Sequence, residues 1–386
     1  MRNKILITLL FIPAFLFGQK PERQISFAQE SKSHSYYVQQ AELWWKEIEK
    51  DKTNEMSWYN YFRANRNAQG TVGWSEEFVK ESPYLKLGPE IVKLIEEYIP
   101  NTFIYNYVVW TERGFNPSKG SYLLKAYEMN PDFEGIHATM ITYTDCIFDF
   151  EKRKEVNKKL FERNEISQGL LAYAYNVLMS LEPNSILLTE HDNDTYPIWM
   201  LQDVKGIRPD VTVINFDMLL VKSYRDLVFE KYSINILDTE YEETSYSNHK
   251  SLIFHILNNY NNSRPLYLAQ TVNPDYYKSH IEKIFVSGLA MRYSNKPIDL
   301  IDFNKNLIDN AFLLDYLSLQ LSYDKNQKNV NSQSRNYLQC FEIAYNDYIS
   351  KKQTEKADKI KDLAILISKK NDDIDLIEIV KKKYVK

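Results

Sequence analysis

Glycine is scarce in this chain, at 10 of 386 residues. Few glycines mean few tight turns, which argues against a β-sandwich and for helices. Cysteine is scarcer still. Cys146 and Cys340 are the only two, each in an apolar, helix-like context ("TDCIFDF", "LQCFEIA"). Two distant cysteines make no disulfide framework, so buried free thiols are expected. An excess of positive charge is missing as well. The 48 Lys and Arg are outnumbered by 52 Asp and Glu, for a net charge of −4. That excludes the basic face nucleic-acid binding requires. The six histidines, at 34, 137, 191, 249, 255 and 280, show no zinc-ligand spacing, and structural or surface roles are expected for them. No Gly-x-Ser-x-Gly, His-Glu-x-x-His or glycine-rich phosphate loop occurs.

The chain has one long apolar run. Arg2 and Lys4 precede the thirteen residues Ile5 to Phe17, and Gly18 follows. A basic start, an apolar centre and a small residue form the pattern of a secretory signal. Thirteen residues are short for a bilayer span, which needs about twenty. The expectation is a cleaved signal over 1–18 and an exported, periplasmic or envelope-associated mature chain without a transmembrane span. Its charge would fall to −6, with 46 basic against 52 acidic residues.

Residues 19–34 are polar and aperiodic, and read as a flexible leader. From 35 to 183 the pattern is helical. "YYVQQAELWWKEIEK" puts Tyr37, Ala41, Trp44, Trp45 and Ile48 near one face. Breaks recur at "DKTNE", "IPNTF", "NPDFE" and "EPNSI", with gaps of 47, 31 and 52 between Thr53, Pro100, Pro131 and Pro183. Helix, turn, helix at uneven spacing predicts a degenerate repeat of tetratricopeptide type, whose period is about 34. Trp44, Trp45, Trp58 and Tyr59 are expected in its core. From 184 to 302 the character changes. "SILLTE", "DVTVINFD" and "LYLAQT" are strand-like and alternate with helical runs, which predicts a small parallel sheet with helices, and "KIFVSG" reads either as a further strand or as the end of the helix from 276. From 303 to 386 helices return as amphipathic hairpins, with "YDKNQKNVNSQS" between them expected to be a mobile loop. The fold class is therefore predominantly helical, with an α/β centre flanked by α-helical, tetratricopeptide-like hairpins.

The segment "ILLTEHDNDTYPIWMLQDVKGIRPDVTVINFDML" (187–219) resembles one in the soluble C-terminal region of bacterial membrane proteins similar to protein O-mannosyltransferases. The residues that carry the resemblance are Asp192, Asn193, Asp194, Thr195, Tyr196, Pro197, Trp199, Gln202, Gly206, Arg208, Asp210, Val211 and Asn215. "RPLYLAQTV" and "GLAMRY" resemble later elements of the same region. Where that pattern has glycine, this chain has His191. The likeness extends over about 120–386 and implies the soluble accessory module. The family's catalytic half spans the membrane, and with no counterpart to it expected in this chain the resemblance does not imply sugar transfer.

The acidic stretch "TEHDNDTYP" has two readings. Asp194 or Thr195 can cap a helix starting near Tyr196, with Asp192 and Asn193 in an Asx-turn. A cap, however, needs one such residue, not Glu190, Asp192 and Asp194 together. Ligands of α/β sheets bind at the carboxyl ends of strands. There Glu190, His191, Asp192 and Asp194 should meet Asp217, Thr271 and Arg292, with Asp192 and Asp194 as candidate ligands of a hard divalent cation. Arg208 and Arg264 belong at the opposite end, in salt bridges. The functional expectation is an exported, non-catalytic binding or scaffold protein that takes an envelope protein or glycan. The alternative is a metal-dependent enzyme acting on a glycan or phosphate ester at Asp192/Asp194.

Overall fold

The computed structural model describes residues 20–112, 117–241, 246–319, 324 and 326–384. The signal segment expected at 1–18 lies outside them. Among the described residues no helix is long and apolar enough to cross a membrane. The chain forms two compact units, Met1–Phe27 with Ser31–Val108, and Ala28–Glu30 with Val109–Lys386. The boundaries expected at 183 and 302 both fall inside the second unit.

In the first unit, α1 (His34–Lys50) and α2 (Glu55–Thr71) form an antiparallel hairpin, followed by α3 (Gly88–Tyr98). Ser33 and Asn54 cap the two long helices through their side-chain oxygens. Trp58 and Tyr59 are in the core as expected, whereas Trp44 and Trp45 are half-buried. Trp44 is used otherwise: its Nε1 donates to the Glu22 carbonyl at 2.8 Å. The leader is thus held along the helices rather than free. The Gln24 N–H donates to Asn60 Oδ1 at 2.7 Å, Asn67 Nδ2 donates to the Ile25 carbonyl at 2.7 Å, and Gln24 is buried. Composition marked these residues as unstructured, but the helix amides supply partners that composition does not display.

Helix α4 (Phe103–Thr111) comes next in the chain. The second unit continues with α5 (Gly120–Met129), α6 (Ile136–Cys146), α7 (Phe150–Glu162) and α8 (Gln168–Met179). Its α/β centre is β1 (Ile186–Thr189), α9 (Asp192–Lys205), β2 (Thr212–Asn215), α10 (Lys222–Lys231), α11 (Tyr246–Asn259), β3 (Leu266–Ala269), α12 (Pro274–Tyr277), β4 (Ile284–Ser287) and β5 (Ala290–Tyr293). The remaining helices are α13 (Ile301–Asn306), α14 (Asp315–Ser318), α15 (Gln327–Ser334), α16 (Tyr337–Ser350), α17 (Thr354–Lys370) and α18 (Ile374–Tyr384). The class is the expected one, predominantly helical with an α/β centre. Cys146 and Cys340 are free and buried.

The sheet order is β2-β1-β3-β5-β4. β1 pairs in parallel with β2 and β3, as the alternation of strand and helix predicts. β5 runs antiparallel to β3 and β4, so the sheet is mixed and not wholly parallel. The short β4–β5 connection leaves no room for a crossover helix, and Gly288 supplies the positive φ of that hairpin. All four residues of β1 and of β3 are buried, which is why they read as unbroken apolar runs. Helix α9 stops at Gly206 in the left-handed region, φ 64, as expected.

Two helical expectations at the C-terminal end are corrected. The described part of the helical run expected from Asn306, through Leu319, is not one helix: α13 passes into a π turn over Leu307–Ala311, and α14 is a single turn. The segment read as a mobile loop contains α15. Val330 is buried there against Gly169, where a Cβ would lie 2.8 Å from both of its methyl groups. Burying one Val on α8 and bonding Asn331 Nδ2 to the Lys370 carbonyl at 3.0 Å orders a stretch that is otherwise polar.

Arg208 and Arg264 lie at the amino ends of the parallel strands. Arg208 donates to the carbonyls of Leu178, Leu181 and Glu182 at 2.8–2.9 Å and forks onto Asp210 at 2.9 Å. Arg264 reaches the carbonyls of Asn184 and Ser185 and the Thr212 hydroxyl, so it binds mainly backbone and not the acid expected of it. Removing Arg208 strips three carbonyls and a carboxylate at once. Arg208→Ala should therefore lower unfolding stability in urea by ~2–4 kcal/mol. The Arg208 fork and the Asn184 N–H outweigh the partial burial of Asp210 and depress its pKa to about 2. Its contribution is complete above the unfolded value of 3.8 and is lost as pH falls through about 2. Acid titration of stability should be shallower between those limits in Asp210→Asn than in the parent.

Candidate functional site

β1 ends at Thr189 because its neighbours stop the ladder there. Thr195 Oγ1 donates to the His191 carbonyl at 2.8 Å, lies 2.8 Å from Thr189 Oγ1, and accepts from Asn215 Nδ2 at 3.0 Å. These buried bonds turn the chain from strand to helix in two residues. Helix α9 starts earlier than the capping reading held. His191 is its N-cap residue and makes no side-chain cap bond, while Asp192 and Asp194 lie in the first turn. Their charge suits the helix N-terminus there. Asp194 is buried. Its Oδ2 accepts from the Glu190 N–H at 3.1 Å and from Thr271 Oγ1 at 2.6 Å.

His191 occupies an unusual backbone conformation, φ 65 and ψ 176. Glycine adopts it freely and a β-carbon does not. The resemblance has glycine at this position, and the backbone is one that glycine suits. The histidine is held in it by Asp217, whose Oδ2 accepts the His191 N–H at 2.8 Å and lies 3.0 Å from Nδ1. The other edge of the ring is 3.7 Å from Glu190 Oε1. Glu190 is 6% exposed and accepts the Asn273 N–H at 3.1 Å, whereas the His191 side chain is 72% exposed.

Glu190, His191 and Asp217 are the group among the described residues whose ligand atoms all lie within 4.8 Å of one another. Asp192 and Asp194, the expected cation ligands, are not in it. Asp192 is exposed on the helix, and Asp194 faces Thr271 and the backbone. Thr271 is the partner of Asp194. Arg292 is not. It is 2.7 Å from Glu182 and stacks on Tyr267, at the amino ends of β1 and β3. Because β5 runs antiparallel, its last residues come out at the opposite edge of the sheet.

One residue of the site was missed. His249, set aside with the other histidines, is 4% exposed, and its Nε2 lies 3.0 Å from Asp217 Oδ1. Phe216 meets its ring edge-on at 5.2 Å, and Tyr276 covers it at 5.7 Å. Spacing could not reveal it, but topology could. In a β-helix-β crossover the helix runs back along the sheet, so the start of α11, which leads into β3, lies at the carboxyl ends of the strands.

Charge follows from this geometry. Burial raises the Glu190 carboxyl above its ordinary range and raises Asp194 to about 6. Desolvation also opposes Asp217, but the bond from His191 and the His249 ring 3.0 Å away outweigh it and hold that carboxyl well below the usual range. Desolvation of the inner ring edge of His191 is outweighed by Asp217 and Glu190, which raise it to about 9.

A separate cleft of about 270 Å3 runs beside the edge strand β2, between α7, α9 and α10. Its wall carries Phe148, Phe150, Arg153, Trp199 and Lys231. Arg153 is committed: it forks onto Asp203 at 2.9 Å and reaches Asp145 at 2.6 Å. The Lys231 ammonium lies 5.0 Å and 5.2 Å from the Phe148 and Phe150 ring centres. Phe150 is 38% exposed, and Phe148 has φ 57, a strained value for a bulky residue.

Fold and site together define an α/β module whose polar residues gather at the carboxyl ends of its parallel strands. A family model described as TMEM260-associated domain 2 matches residues 170–250. That span runs from α8 into α11 and contains Glu190, His191, Asp217 and His249. No curated protein and no solved structure matches the chain.

Backbone strain at His191 makes a direct test possible. An N-cap glycine ordinarily outranks alanine by at most ~1 kcal/mol. His191→Gly should exceed His191→Ala in urea unfolding by ~1–3 kcal/mol, because both lose the ring contacts with Asp217 and Glu190 but only alanine keeps the strained backbone.

Proposed function

We propose that the protein is an exported, non-catalytic binding protein of the cell envelope that takes a glycan in the cleft beside β2. The observation that carries this reading is the half-exposed aromatic wall of Phe148 and Phe150, with Lys231 over both rings. Sugar rings present C–H faces to aromatic side chains and hydroxyl or acidic groups to charges, and this wall offers both partners. The cleft is slightly below the size of a typical small-molecule site, which suits one or two sugar residues of a longer chain. The resemblance to the soluble region of O-mannosyltransferase-like proteins supports an envelope glycan as the ligand class.

A second reading is a metal-dependent enzyme acting on a glycan or phosphate ester. It is favoured by the convergence of Glu190, His191 and Asp217, more acidic and imidazole groups than a helix start requires.

One binding experiment separates the two. Oligosaccharides released from the cell envelope should bind the full chain in calorimetry, and Phe150→Ala or Lys231→Ala should weaken them about two- to thirtyfold, as ~0.5–2 kcal/mol of aromatic and cation contact is lost. Binding that survives both changes but fails in Asp217→Asn would move the ligand to the strand ends and favour the second reading. Binding to a protein fraction and to no oligosaccharide would overturn the glycan.

A further inference from the structure

Helix α18 joins the rest of its unit through one face. Val380 and Tyr384 are buried, the Tyr384 ring lies 4.9 Å from that of Tyr345 on α16, and the Tyr384 hydroxyl donates to the Leu338 carbonyl at 3.1 Å. Two charges on its flanks are committed as well. Asp373, just before the helix, pairs with Arg335, and Lys383 pairs with Glu342. The opposite face is different. Ile374 is 73% exposed and Ile379 is 51% exposed, and Ile374 is the most exposed large apolar side chain among the described residues. Asp375, Glu378, Lys381 and Lys382 are exposed beside them, and none of the four forms an ion pair among the described residues.

Residues three and four apart share a helix face. Asp375, Ile379 and Lys382 therefore form one stripe of acid, isoleucine and base. The helix dipole accounts for an acid in the first turn and lysines in the last. It does not account for an isoleucine left in water between them. Reversed, the stripe is base, isoleucine and acid. A second α18 laid antiparallel on the first sets Ile379 on the partner's Ile379 and each Asp375 beside the partner's Lys382. A parallel copy in register would set like charge against like.

We infer that α18 is a self-association surface, at which two copies of this chain pair antiparallel about a two-fold axis. Ile379 lies at the axis, and two Asp375–Lys382 pairs flank it. The stripe is its own complement, as a two-fold contact requires. The isoleucines supply the attraction by leaving water. Exposed ion pairs add little to it and instead set direction and register. Glu378 and Lys381, to one side of the stripe, cross in the same sense. The helix is 11 residues long, about 16 Å at ~1.5 Å per residue. That is too short for the contact area of a permanent dimer, so the expected pairing is weak, reversible and salt-sensitive.

The surface does not depend on the cleft beside β2, and its test needs no ligand. The full chain is studied by sedimentation equilibrium over a concentration series, in about 50 mM and about 500 mM sodium chloride. The average mass should climb from one chain towards two as concentration rises, and the higher salt should weaken the dimer about threefold or more. Ile379→Asp, Asp375→Lys and Lys382→Asp should each weaken it about tenfold or more, because each change acts twice in a two-fold contact. These side chains are exposed, so the circular dichroism of the fold should be kept. The decisive measurement is an equimolar mixture of the Asp375→Lys and Lys382→Asp variants. Each repels its own copy, but the mixture restores both ion pairs, and the dimer should return to near the parent's affinity. A chain that stays monomeric at every concentration would overturn the surface. So would association indifferent to all three substitutions, such as one driven by the apolar run over 5–17. A mixture that remains monomeric would overturn the antiparallel register.

Discussion

Strands of four residues cannot hold a parallel sheet by their ladders alone, and the α/β centre depends on how the ends of β1 are fastened. At the amino end two guanidinium groups do this. Arg208 gathers the carbonyls that leave α8, and Arg264 joins the Asn184 and Ser185 carbonyls to the Thr212 hydroxyl. At the carboxyl end the Thr189, Thr195 and Asn215 side chains close the turn into α9. Arginine suits the first task because one planar fork satisfies several buried carbonyls without a compensating acid at each. With both ends fixed, Leu187 and Leu188 are held at the centre of the core, and the residues after Thr189 are placed without freedom to drift.

That rigidity is what permits strain and charge beyond it. His191 keeps a backbone conformation suited to glycine because Asp217 bonds both its amide and its ring. Asp217 in turn faces His249 with its second oxygen, so a single carboxylate lies between two imidazoles. The same burial raises Glu190 and Asp194. Perturbed acids beside strained backbone at the carboxyl edge of a sheet are a combination characteristic of ligand sites.

Much of this was legible residue by residue. The apolar runs "SILL", "VTVINF" and "LYLA" are strands because short buried strands need no polar alternation. Gly206 ends its helix, Cys146 and Cys340 are buried thiols, and Glu190, Asp217 and Thr271 come to the strand ends. Other features depended on partners far along the chain. The leader is ordered by Asn60 and Asn67, α15 by a contact with α8, and Arg292 is placed by the direction of β5. Asp192 and Asp194 drew attention through local density of charge, a property that does not distinguish a helix's first turn from a ligand shell.

The sequence by itself determined the helical class, the α/β centre and the end of the sheet at which polar groups gather. Those follow from periodicity and from the rule that parallel strands expose their ends together. Only the tertiary structure decided which groups meet. It removed Arg292, turned Asp194 inward and brought in His249 from a helix that begins 57 residues after β1 ends. Periodicity reports which face of an element is buried. The few ångströms that make donor atoms neighbours are set by strand direction and crossover geometry, which no local pattern encodes.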